Sequence, residues 1–222
     1  MTNQLNLFNI PEPEIKLSEI EGFKDSYGRQ LFERRIMMAL LHKNRDRFKI
    51  IDAAIDQAKA KGLSYVLCKV SPEAKKFLDY ARQVSFEYNK AISFIRLKPV
   101  DQHRVLMGEF EVKHQTAELI MQHFMRRFPT YAIMLIFGED VYIGKTGDDS
   151  NRRLYGQYEI YKRKINRRQI APPTVVDEYE KYWLAFYKTQ FIPERKNLRY
   201  LKQMIPKKYW HWVTELGEFG LV

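Results

Sequence analysis

The sequence predicts an α+β fold: a small antiparallel sheet built β-β-α-β-β, flanked by helices at both the N-terminal and the C-terminal end. Three observations predict it. Apolar residues recur at helical spacing over residues 27–61 and again over 175–204. Residues 105–112 alternate apolar with small or polar side chains, and Gly138-Glu139-Asp140 separates two apolar runs at 131–137 and 141–144.

Taken in order, residues 1–25 read as a flexible tail, polar at first and then carrying Pro11 and Pro13 in an acidic stretch that resists helix formation. From Tyr27 the pattern changes, and Leu31, Phe32, Arg35, Ile36, Met38, Ala39 and Leu40 fall near helical spacing. Asn44 and Asp46 interrupt that helix. A second one uses Phe48, Ile51, Ala54, Ile55 and Ala58 and closes at Lys61-Gly62, so residues 26–70 form a helical hairpin. Ser71-Pro72-Glu73 is a helix start, with Ser71 as N-cap and Pro72 at the first helical position, where its missing N–H costs nothing. This helix should reach about Asn89 through Phe77, Leu78, Ala81, Val84 and Tyr88.

Ile92, Phe94, Ile95 and Leu97 then read as a strand ending at Lys98-Pro99, and residues 105–112 as a half-buried antiparallel strand. Residues 116–128 are helical, Pro129 stops them, and the runs at 131–137 and 141–144 pair as a hairpin. After a break at Ala171-Pro172-Pro173-Thr174, Tyr179, Tyr182, Trp183, Phe186 and Tyr187 share one face of a helix over 175–189. A shorter helix follows around 194–204, and then the aromatic Tyr209-Trp210-His211-Trp212 cluster. Residues 71–222 are thus read as one α+β domain, and no internal repeat is visible.

Composition narrows the function classes. The chain has 222 residues, 45% hydrophobic and 14% aromatic, which is incompatible with wholesale disorder. Its one cysteine, Cys68, excludes an intramolecular disulfide, a four-cysteine zinc site and a cysteine-held iron–sulfur cluster, and points to a reducing, cytoplasmic setting. The start MTNQLNLFNIPEPE has no basic stretch followed by an apolar run, and no segment nears the roughly eighteen apolar residues of a membrane span, so no membrane partner is expected.

The formal charge of +11, with an isoelectric point of about 9.5, favours a polyanionic partner, because each phosphate neutralised by Lys or Arg releases condensed counterions. The excess is concentrated. Residues 151–170 hold Arg152, Arg153, Lys162, Arg163, Lys164, Arg167 and Arg168 against one acid, Glu159, with Tyr155, Tyr158 and Tyr161 interleaved. A second basic stretch runs Arg195, Lys196, Arg199, Lys202, Lys207, Lys208. A merely solvated helix face mixes both signs, so the near absence of acids favours phosphate contact, with the tyrosines either stacking on bases or packing underneath.

The run Glu178-Tyr179-Glu180-Lys181-Tyr182-Trp183, then Ile192-Pro193-Glu194-Arg195-Lys196-Asn197, then Met204-Ile205-Pro206-Lys207-Lys208-Tyr209-Trp210 and Glu215, resembles the closing signature of a domain family of unknown function linked to DNA metabolism and DNA repair. The middle is similar too, in Ser71-Pro72-Glu73-Ala74, Phe94-Ile95-Arg96, Phe110-Glu111 and His123-Phe124-Met125-Arg126-Arg127-Phe128. The resemblance runs from about Ser71 to Glu215. It implies a role in repair or processing of DNA bases, since members are encoded beside, or fused to, a uracil-DNA-glycosylase-like protein and a radical S-adenosylmethionine protein. No reaction comes with it. The family's N-terminal block is not recognisable in residues 1–70, and where members carry an Asp followed shortly by an Arg this chain reads Ile136-Phe137-Gly138-Glu139-Asp140. Within the signature, Arg195 can fork onto a phosphate or onto a carboxylate such as Glu178 or Glu215, and Asn197 can cap a helix or pair with a base edge. Pro206, Tyr209 and Trp210 read as a packing anchor.

Two short motifs add alternatives. Gln4-Leu5-Asn6-Leu7-Phe8 resembles the Gln-Leu-x-Leu-Phe peptide by which bacterial replication and repair proteins dock into the sliding clamp; Leu7 and Phe8 would fill an apolar pocket, Leu5 would add contact, and Gln4 would hydrogen-bond at the rim. The other reading is a tail that docks on its own domain. Tyr142-Ile143-Gly144-Lys145-Thr146 followed by Arg153-Leu154-Tyr155 looks like the second half of a GIY-YIG nuclease motif, but Tyr131-Ala132-Ile133 does not supply the first.

His103, His114 and His123 are too dispersed for a zinc site, Cys68 follows apolar Val66-Leu67 as a buried residue would, and neither a Walker loop nor a dinucleotide fingerprint is present, so no cofactor or metal is expected. The expected function is DNA binding in repair or DNA metabolism, with nucleic-acid contacts from Arg127, the 152–168 cations, Arg195, Asn197, Lys207 and Lys208. The alternatives are a DNA-processing enzyme, either a base-excising glycosylase or a GIY-YIG-like nuclease, and a protein-interaction module whose charge meets an acidic partner.

Overall fold

The structure, a computed structural model, describes residues 26–100, 104–146, 158–164 and 178–205, with Lys207, Trp210, Val213, Leu216 and Gly217. The described residues fall into two compact units, one of residues 26–90 with 112–120, the other of 91–100, 104–111 and those from 121 onward. The α+β class is borne out: among the described residues seven α-helices accompany a five-stranded sheet.

The first unit is helical. It contains α1 (Ser26–Leu40), α2 (Arg47–Lys61), α3 (Leu63–Leu67) and most of α4 (Pro72–Phe94). The apolar spacing read from the sequence is what packs here, since Phe32, Ala39, Ile51, Ala54, Ile55, Ala58, Phe77, Ala81 and Val84 are all buried in one cluster. Gly62 ends α2 with φ 81°, a backbone value that side chains with a Cβ disfavour. Ser71 caps α4 as its sequence requires, its Oγ accepting the Ala74 N–H at 3.0 Å. Asp46 does not cap α2. Its carboxylate instead accepts from Lys76 Nζ at 2.7 Å and Tyr80 OH at 2.9 Å, which hold its pKa below the ordinary value.

A partly buried polar cluster sits in the same unit. The His42 ring is stacked on Tyr80 at 3.8 Å, with Nδ1 accepting the Asn44 N–H at 3.3 Å and Nε2 3.3 Å from Gln83 Oε1. Those partners require the neutral tautomer protonated on Nε2. His114, 4.6 Å away, accepts the Lys43 N–H on its own Nδ1. Burial lowers both histidine pKa values below the ordinary 6.5, and although Asp46 opposes this at His42 and Glu87 at His114, Lys43 reinforces it at both, Arg47 at His42 and Lys113 at His114. The unfolded chain therefore takes up protons below about pH 6.5 that the folded unit refuses, so stability is full above that pH and is lost as pH falls. Melting temperatures compared at about pH 7.5 and about pH 5.5 should fall with acid, and His42→Gln should flatten the dependence.

The second unit carries the sheet, in order β1 (Lys98–Pro99), β2 (Val105–Glu109), β3 (Ala132–Phe137), β4 (Asp140–Thr146) and β5 (Tyr158–Lys164). Three details differ from the sequence reading. Residues 92–94 are the end of α4, because no breaker interrupts the chain before Pro99, and the Ile95 N–H still bonds the Ala91 carbonyl at 2.9 Å. The sheet is mixed: β2 and β3 pair in parallel, since α5 (Ala117–Arg127) carries the chain back between them, while the other neighbours are antiparallel. Residues 158–164 of the basic stretch form the fifth strand.

β3 and β4 join through Gly138-Glu139, and Gly138 takes φ 65° at the first turn position, where a two-residue hairpin calls for positive φ. One sheet face, carrying Ile133, Leu135, Gly144 and Ile160, is buried, and a Cβ on Gly144 would lie 2.6 Å from Met125 Sδ of α5. After the sheet come α6 (Glu178–Gln190) and α7 (Leu198–Met204), with a 3-10 turn (Pro193–Arg195) between them.

Candidate nucleic-acid interface

Strand periodicity sorts the basic residues of β5. Register places Lys162 opposite Tyr142 on the face shared with buried Ile160, and Arg163 opposite Val141 on the other. Lys162 is held at home: its Nζ lies 2.8 Å from Asp140 Oδ2 and 5.3 Å from the centre of the Tyr142 ring, and the Asp140 bond raises its pKa. Arg163 and Lys164 are exposed and make no ion pair among the described residues.

The other face of the β4–β5 pair carries Arg163, Tyr161 and Glu159 on β5 and Val141, Ile143 and Lys145 on β4; Val141, opposite Arg163, is buried, and the rest of the row is open to solvent. Tyr161 is 36% exposed and Ile143, directly opposite, 40%. An apolar and an aromatic side chain thus stand in solvent between two cations. The Tyr161 hydroxyl donates to Glu159 Oε2 at 3.3 Å, and Glu159, the one acid of the row, stands directly opposite Lys145. Such a surface can stack a base and hold the flanking phosphates. β5 ends the strand order, and charged side chains on a terminal strand also discourage pairing with another chain.

The remaining predicted residues go elsewhere. Arg127 ends α5 with its guanidinium 5.7 Å from the Phe128 ring, lining a cavity of about 720 Å³ that also takes in Arg96, Lys98 and Trp183. Neither the β5 cations nor Arg195 and Asn197 line it. Arg195 is exposed in the 3-10 turn, without an ion pair among the described residues. Asn197 is a helix cap, its side-chain oxygen accepting the Tyr200 N–H at 2.9 Å. Lys207 lies 5.9 Å from the Trp210 ring, and Trp210 donates its indole N–H to the Ile205 carbonyl at 2.8 Å, as a packing anchor does. Arg152, Arg153, Arg167, Arg168 and Lys208 lie outside the described residues, as do Gln4, Leu5, Leu7 and Phe8 of the clamp-like motif.

Tyr142 and Gly144 of the nuclease-like segment stand on the second strand of a hairpin, and both have packing roles. Tyr142 is buried edge-on to Phe137 with ring centres 5.4 Å apart, and Gly144 leaves room for Met121 and Met125. Among the described residues no cluster of three or more His, Cys, Asp or Glu is placed to hold a metal ion, and no helix is long and apolar enough to cross a membrane. Sequence reasoning missed Lys145, Arg96, Lys98 and Trp183 as candidate contacts. Arg96 and Lys98 flank Leu97 beside the end of a helix, which was the available signal, but reading 92–97 as a strand hid it.

No curated protein and no solved structure matches the chain. A family model described as a domain of unknown function, DUF4130, matches residues 45–215, beginning well before Ser71 and taking in α2 and α3. The chain belongs to the DUF4130 family.

Proposed function

We propose that this protein binds DNA in repair or DNA metabolism, holding the backbone with the basic strand β5 and the cationic segments around it. The observation that carries the reading is the outward row of the β4–β5 pair, where exposed Ile143 and Tyr161 lie between Lys145 and Arg163. Apolar and aromatic surface in water is costly unless something covers it, and a nucleotide strand supplies both a π-face for the ring and phosphates for the cations. The net charge of +11 favours the same partner at long range. The reading extends to a cytoplasmic setting, to docking on a sliding clamp through Gln4, Leu5, Leu7 and Phe8, and to work beside a uracil-DNA-glycosylase-like or radical S-adenosylmethionine protein.

Binding of single-stranded and duplex oligonucleotides, titrated against salt, tests it. Replacing Arg163 and Lys145 together with Glu should weaken binding by about tenfold or more and flatten the slope of log affinity on log salt by roughly one to two. Affinity that is independent of salt, or unchanged in this double variant, would remove the support.

A further inference from the structure

The cavity at Arg127 is a second place with chemistry of its own. Its volume of about 720 Å³ falls within the range of small-ligand sites. It lies wholly in the sheet-bearing unit, walled by residues 92–98, by the end of α5 and by α6. Phe128 and Trp183 give it aromatic surface, and Trp183 is 43% exposed although its indole is among the costliest side chains to leave in water.

The charge is one-sided. Among the described residues that line it, Arg96, Lys98 and Arg127 accompany one acid, Glu180, whose Oε2 lies 3.6 Å from Lys98 Nζ. That pair offsets itself. The Arg96 side chain is braced by a 2.9 Å bond from Nη1 to the Ser93 carbonyl, and Arg127 makes no ion pair among the described residues. His123, also in the wall, has its pKa lowered by burial and then by Arg126 and Arg127, so it adds hydrogen-bonding capacity without charge near neutral pH. Aromatic surface beside a forked cation is the chemistry that recognises a planar base carrying a phosphate.

We propose that this cavity is a mononucleotide site, taking the base against Trp183 and Phe128 and the phosphate against Arg127. The proposal rests on the nucleic-acid reading above for its ligand class, but on different residues. The ligand can be a free nucleotide or one unit of a strand turned out of its stack, and the two share this chemistry.

Calorimetric titration of the full chain with each of the four deoxynucleoside monophosphates tests it, with the nucleosides and inorganic phosphate run alongside. At least one monophosphate should bind more tightly than its nucleoside and than phosphate. Arg127→Ala and Trp183→Ala, checked for unchanged melting temperature, should each weaken that binding by about tenfold. A single strand that competes with the monophosphate for the site indicates an extruded nucleotide, and one that does not indicates a free one; either result is consistent with the proposal. No monophosphate binding, or binding that neither variant alters, overturns it. If oligonucleotides still bind in a manner sensitive to Arg163, the cavity assignment fails alone. If a monophosphate binds and oligonucleotides do not, the backbone reading fails and the cavity stands.

Discussion

Glu87→Ala is expected to lower folding stability by about 3 kcal/mol, a large part of the roughly 5–15 kcal/mol that holds a domain together. Glu87 is 7% exposed on α4 and accepts three hydrogen bonds, from the Lys113 N–H at 2.7 Å, the His114 N–H at 3.0 Å and the Thr116 hydroxyl at 2.9 Å. These donors belong to the turn that leads into α5, and Thr116 itself is fully buried. Truncation would leave two backbone donors and a hydroxyl without their acceptor, and each such group costs its own desolvation. Glu87→Gln keeps one carbonyl acceptor but points an amide toward another donor, so its loss should be intermediate. Urea denaturation followed by circular dichroism gives the difference directly. A loss under about 1 kcal/mol for the alanine variant would mean that the turn finds other acceptors.

Gly108→Val should cost about 2–3 kcal/mol through overpacking. A Cβ at this position would already lie 2.8 Å from Ile95 Cγ2, 2.9 Å from Leu97 Cδ2 and 3.2 Å from Leu135 Cδ2, and valine adds two methyl groups to that space. Those three side chains come from two separate segments, Ile95 and Leu97 from the chain after α4 and Leu135 from β3, so relief at one contact leaves the others. The glycine is there because β2 runs beneath residues 95–97, and Gly108→Ala should give a smaller loss of about 1 kcal/mol. Melting of the two variants against the parent chain checks the order. Equal stability of all three would show that residues 95–97 give way freely.

Much of the fold was readable because local signals and packing agree. Ser71-Pro72 specified a helix start that the structure keeps, and the residues that recur at 51, 54, 55 and 58 are the buried ones of α2. The reading failed where pattern and context separate. Ile92 to Leu97 has the apolar density of a buried strand, yet it directly follows a helix with no glycine or proline to stop it, and short apolar runs do not distinguish the two states. β5 was hidden for another reason. Its inward row contains Lys162, whose partner Asp140 is far away in sequence, and a lysine at an inward position breaks the alternation that marks a strand. The candidate interface was partly readable. The basic stretch named Arg163 and Lys164, but composition could not show that Lys162 belongs to Asp140, or that Lys145 and Ile143 stand across from their neighbours on β5.

The parallel pairing of β2 with β3 makes the sheet unequal in how its contacts are reached along the chain. The meander of β3 and β4 closes over two residues, whereas β2 meets β3 only after the whole of α5 has been laid down between them. Closing a short loop costs less chain entropy than closing a long one, so the two sides of β3 differ in contact order. The strand that offers Ile143 and Lys145 to solvent is joined to its neighbour by the cheaper closure.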